Sequence, residues 1–115
     1  MNIPILDGLA CVAGDYDLFI LDLWGVVHDG VSVFPGAMNC LRRLRQREAK
    51  LVLLSNAARL GVSVARHLTQ LGVEAALYDR LLTSGEATAD IISSRTSGVG
   101  VDVTPAYFHL GPERC

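Results

Sequence analysis

At 115 residues, half of them apolar and 19% charged, the chain carries apolar material for one core and no more, so a single globular unit over residues 1–115 is expected. A formal charge of −2 argues against nucleic acid as a partner, because such surfaces show a basic stripe. Cys11, Cys40 and Cys115 are odd in number and lack a C-x-x-C spacing, which argues against a disulfide framework or a zinc site and makes a reducing cytoplasm the default location.

From Met1 to Gly14 no basic region precedes a long apolar stretch, and Asp7 interrupts what there is. Neither a signal peptide nor a membrane span is expected. The first strong signal is Leu18-Phe19-Ile20-Leu21-Asp22-Leu23. Consecutive apolar residues without alternation predict a strand buried on both faces, as in a parallel sheet. The run ends in Gly25, a polar stretch spans His28 to Ser32, and Pro35-Gly36 leads into a helix. Ala37, Cys40, Leu41 and Leu44 share one helical face. Arg42, Arg43, Arg45 and Arg47, with Lys50, read as its solvent side.

Leu51-Val52-Leu53-Leu54 predicts a second buried strand, ending in Ser55-Asn56. A helix follows with Leu60, Val64, Leu68 and Leu71 in register and Gly72 as its stop. Arg80 to Thr83 is a short strand, and Thr83 with Glu86 fits a capping box for a helix from about Ala87 to Ser93. Ser94 to Thr104 reads as a loop and Ala106 to Leu110 as one more strand. The succession of strands and helices is that of an α/β fold, a doubly wound parallel sheet.

In such a sheet the ligand crevice lies outside the carboxyl ends of the strands. Asp22, Ser55-Asn56 and Thr83-Ser84-Gly85 all fall there. An Asp ending an apolar strand has two readings, a loop cap or a reacting group. Burying its charge would cost several kcal/mol unless it is paired or bound to a cation. Ser55 is a turn residue under one reading and a phosphate ligand under the other. A nucleotide-binding Rossmann module is not supported, since neither G-x-G-x-x-G nor a P-loop follows any strand.

The segment from Phe19 to Gly30, FILDLWGVVHDG, resembles the first motif of the haloacid dehalogenase (HAD) superfamily. Leu51 to Asn56 resembles its second motif, and Leu81 to Thr88 resembles a segment of its class IIA, the nitrophenylphosphatase-like proteins with an inserted cap. Order and spacing match over Tyr16 to Gly111. The resemblance implies a Rossmann-like HAD core acting on a small phosphorylated metabolite. Asp22 would be the nucleophile that forms an aspartyl-phosphate. Mg²⁺ would be held by the Asp22 carboxylate and the Trp24 backbone carbonyl. Ser55 would hydrogen-bond a phosphoryl oxygen and Asn56 would orient the transferring group, with Gly25 also at the substrate.

Two departures qualify that expectation. The family's phosphatases carry an acid two residues after the nucleophile, where this chain has Trp24. General acid–base catalysis is worth about 10²–10⁴-fold, so ordinary ester turnover is expected to be poor unless another group substitutes. His28 and Asp29 are near in sequence, though both read better as exposed loop residues. Members acting on carbon–halogen or carbon–phosphorus bonds also lack this acid, so a non-ester substrate stays open, as does a non-catalytic phosphate-binding or interaction module. The family's Lys motif and its final carboxylate pair have no counterpart after Ser94. The chain is therefore expected to represent the N-terminal part of a HAD core, inactive alone. In that case Leu18 to Leu23 would form an apolar edge strand, and self-association is expected.

Overall fold

Alternation of exposure along the strands shows how the sheet is covered. The computed structural model describes residues 3–94. Three strands, β1 (Leu18–Asp22), β2 (Lys50–Ser55) and β3 (Arg80–Thr83), form a parallel sheet in the order β1-β2-β3. Helix α1 (Pro35–Gln46) crosses from β1 to β2 and α2 (Gly61–Gln70) from β2 to β3. Both crossovers step in the same direction, so their common right-handedness places both helices on one side. Phe19, Leu51 and Leu53 are buried in one cluster with Met38, Leu41 and Leu44 of α1 and Val64 and Leu68 of α2. Each fully buried leucine contributes about 1.5–3 kcal/mol.

Among the described residues nothing covers the opposite face, which corrects the expectation of a first strand buried on both sides. Leu18 and Ile20 are 53% and 62% exposed, and Leu54 and Leu82 are also exposed. The apolar run marks a two-sided strand, but the helices present cover one side. Helix α3 (Ser84–Ser94) packs against β3 yet buries none of its own residues. Among the described residues β1 lies at the edge of the sheet.

Helix boundaries follow local chemistry. Pro35 opens α1, its fixed φ suiting the first turn. Met38 joins the inward face that the spacing assigned to Ala37, Cys40, Leu41 and Leu44. The helix closes with Ala49 N–H donating to the Leu44 carbonyl at 3.2 Å and Glu48 at φ 59. A glutamate in this left-handed position costs about 1–2 kcal/mol. α2 ends in the same way, with Val73 N–H on the Leu68 carbonyl at 2.9 Å, but with the expected Gly72 at the turn. Leu60, expected on the inner stripe, is instead the exposed residue ahead of α2.

Not all the arginines face solvent alone. Arg45 donates to the Asp79 carboxylate at 2.8 Å and to the Ala76 carbonyl at 3.0 Å. Asp79 also accepts the Leu51 N–H at 2.8 Å. One carboxylate thus ties α1, β2 and the approach to β3, and the Leu51 amide, followed by Arg45, holds it below the ordinary carboxylate range. No helix among the described residues is long and apolar enough to cross a membrane. The strand expected over Ala106–Leu110 and most of the preceding loop lie outside the described residues.

Candidate active site

Parallel pairing brings the three expected elements to one edge of the sheet. Asp22 is in register with Leu54, and Ser55 with Thr83. Asp22 is exposed, and its Oδ1 accepts the Leu23 N–H at 2.7 Å. The desolvation argument for Asp22 therefore does not hold in this structure, because the open sheet face leaves the carboxylate in water.

The loop after β1 winds tightly. The Leu23 carbonyl accepts N–H groups from Val26, Val27 and His28 at 3.3, 2.8 and 3.1 Å, and Gly25 N–H donates to the His28 carbonyl at 2.8 Å. Leu23 and Val27 are each 1% exposed and root the loop in the core. The Trp24 carbonyl takes no hydrogen bond among the described residues. The Trp24 side chain is largely exposed, and its ring lies over Gly30, where a Cβ would collide with it.

His28 departs from the exposed-loop reading: it is 5% exposed. Its ring meets those of Trp24 and His67 edge to face, at centroid distances of 5.6 and 5.9 Å. Nδ1 accepts the Gly30 N–H at 2.9 Å, which assigns the proton of the neutral ring to Nε2. Burial, and then the charge of His67, push the His28 pKa down, while Asp29 opposes them. Asp29 is exposed as expected and accepts the Val31 and Ser32 N–H groups at 2.9 and 2.7 Å.

Ser55 is buried, and its Oγ accepts the Ala57 N–H at 3.2 Å, which leaves the hydroxyl proton to donate elsewhere. Asn56 is exposed beside it. The following turn is held from outside. Thr83 Oγ1 donates to the Arg59 carbonyl at 2.7 Å, and Gly85 N–H donates to the Ala57 carbonyl at 3.0 Å. The expected capping box is half formed. Glu86 N–H donates to Thr83 Oγ1 at 3.1 Å, but the Glu86 carboxylate accepts the Gly61 N–H at 3.1 Å instead of closing the box. With Thr83 capping in this way, helix α3 begins at Ser84, earlier than expected.

These two loops enclose a cleft of about 300 Å³, to which Trp24, His28, Ser55, Asn56, Arg59 and His67 bring polar or aromatic groups. Asp22 and Gly25 do not line it. His67 and Arg59 were missed from the sequence. His67 had a signal: it lies three residues after Val64 and four before Leu71, a polar side chain within an apolar stripe. Arg59 had none. A hollow of about 280 Å³ beside Arg43 and Arg47, between α1 and the N-terminal turns, lies away from the strand ends.

A metal would find hard oxygens at one place. The Asp22 Oδ2 and the Trp24 carbonyl have no protein partner among the described residues, and such oxygens suit a hard divalent cation that keeps several waters. No group of three or more His, Cys, Asp or Glu among the described residues could enclose an ion by itself.

Comparison with known proteins decides the lineage. The profile of the haloacid dehalogenase-like hydrolase family matches residues 19–109. The chain belongs to this family. The D-glycerol 3-phosphate phosphatase of Mycobacterium tuberculosis (strain ATCC 25618 / H37Rv) is 33% identical over 84 residues, which cover 73% of this chain and 23% of that protein. A haloacid dehalogenase-like hydrolase of known crystal structure from Brucella suis 1330 superposes with a TM-score of 0.69 at 36% identity, over 77% of this chain and 34% of that one. The chain thus spans roughly a quarter to a third of the length of these relatives. The α/β architecture expected from the sequence is the incomplete Rossmann-like core of this family.

Proposed function

We propose that this chain contributes the nucleophile half of a class IIA, Mg²⁺-dependent phosphatase site centred on Asp22. The observation carrying this reading is the convergence of an exposed, half-partnered carboxylate and a hydroxyl free to donate at adjacent strand ends. The phosphatase activity of the mycobacterial relative supports a phosphorylated small molecule as substrate.

In the proposed reaction an Asp22 oxygen attacks phosphorus while the bond from phosphorus to the leaving oxygen breaks, giving an aspartyl-phosphate. Water then attacks that phosphorus, releasing phosphate and restoring the carboxylate. Ser55 donates to a phosphoryl oxygen, and Asn56 and Gly25 border the transferring group. Asp22 and the Trp24 carbonyl would hold the magnesium ion, which supplies charge neutralisation between carboxylate and phosphate. Trp24 stands where the family's acid would be and cannot protonate a leaving alcohol. Esters with good leaving groups are therefore favoured, and this same feature favours a carbon–halogen or carbon–phosphorus substrate as the second reading.

The test is hydrolysis of an activated aryl phosphate by the protein at the full length its gene encodes. Magnesium-dependent turnover is expected, and Asp22→Asn should abolish it. Undiminished turnover in Asp22→Asn would remove this carboxylate from the mechanism.

A further inference from the structure

The cleft beside the nucleophile strand has a definite charge character. Among the described residues no carboxylate lines it, whereas Arg59, two imidazoles, the Ser55 hydroxyl and the Asn56 amide do. Arg59 makes no ion pair among the described residues, so its guanidinium is a free cation at the wall of a concave site. Its backbone is fixed from outside by Thr83 Oγ1 on its own carbonyl. Gly85 closes the same contact: a Cβ there would stand 2.5 Å from the Ala58 carbonyl carbon and 2.7 Å from the Arg59 nitrogen. A loop clamped in this way has its backbone set before binding, so that only the exposed Arg59 side chain is left to be ordered.

Asp22 is outside the cleft while Ser55 and Arg59 line it, so a substrate whose phosphoryl group is attacked by Asp22 can extend past Ser55 toward Arg59. We propose that Arg59 is a specificity residue that pairs with a second anionic group, a carboxylate or phosphate carried on the leaving group, and that the Thr83-Gly85 clamp holds it in place for that purpose. The inference rests on the phosphatase reading for the identity of the first anion. A guanidinium suits this role because its planar donors pair with a carboxylate in two parallel bonds.

The experiment measures equilibrium binding in the Asp22→Asn protein at full gene-encoded length, so that turnover plays no part. The probes are phosphomonoesters of hydroxy acids of increasing chain length, each against the diol monophosphate in which a hydroxymethyl group replaces the carboxylate. One chain length should bind about tenfold more tightly than its neutral counterpart, as for a charge-assisted bond at a partly exposed site. Arg59→Gln should erase that preference and Arg59→Lys should keep part of it. Thr83→Val should reduce it, with Thr83→Ser restoring it. Retention of the preference in Arg59→Gln, or equal binding of both ester classes throughout, overturns the proposal. Equal weakening of both classes in Arg59→Gln also overturns it, because Arg59 would then hold the reacting phosphoryl group. If the native protein fails to turn over any ester, the phosphatase reading falls, while an Arg59-dependent carboxylate preference would still stand.

Discussion

The two loops that border the cleft are stiffened by different means. The loop after β1 is held by its own residues: the Leu23 carbonyl gathers three amides, His28 and Asp29 each accept amides from within the loop, and Phe34 N–H returns to the Val27 carbonyl at 2.9 Å. The loop after β2 is held by residues 24 and 25 positions further along the chain, through Thr83 on Arg59 and Glu86 on Gly61. The hydrogen bonds of the first loop are local in sequence, whereas those that hold the second come from β3 and α3. Changes around β3 should therefore move substrate selection while leaving the nucleophile loop undisturbed.

The largest test attacks the root of the first loop. Leu23→Ala removes a side chain that is 1% exposed and should cost about 2–5 kcal/mol in urea unfolding. A loss well below this range would mean that the loop is not rooted in the core. The next test attacks the clamp. Gly85→Ala sets a methyl group against the Ala58–Arg59 backbone, which cannot swing aside as a flexible side chain could, and should cost about 1–3 kcal/mol. Trp24 is the only tryptophan of this sequence, so tryptophan emission originates in the first loop. That emission should not change in folded Gly85→Ala. A shift would show that the two loops are mechanically coupled and would break the comparison.

The same division explains what the sequence revealed. Asp22, Ser55 and Thr83 were legible as strand-end residues because hydrophobic runs mark strands and parallel topology fixes where their ends meet. Gly72 was legible as a helix stop through local backbone chemistry. Leu18 and Ile20 were misjudged because an apolar strand does not record how many of its sides a given chain covers. His28 was taken for an exposed residue because its burial depends on His67, which is distant in sequence and reaches it only once α2 packs. Arg59 carried no local mark at all, its placement being decided by a hydroxyl on β3.

The smallest effect is a pH dependence confined to the first loop. Protonating His28 requires a hydrogen on Nδ1, which would displace the Gly30 amide, and its pKa is already held below the ordinary 6.5, first by burial and then by His67. The folded state thus favours the neutral ring, while the unfolded chain takes its proton at the ordinary value. The contribution is whole above about pH 6.5 and is lost as pH falls through the lower folded value. Asp29 acts in the same sense at lower pH. The Ser32 and Val31 amides depress its pKa below 3.8, so its contribution is present above that value and lost as acid protonates it in the fold. Neither the Thr83 hydroxyl nor the Gly85 amide titrates in this range. Acid should therefore perturb Trp24 emission in two steps, the upper one absent in His28→Gln and the lower one absent in Asp29→Asn. An upper step that survives in His28→Gln, or stability that rises between about pH 7 and pH 5, would show that the imidazole is not what links this loop to pH.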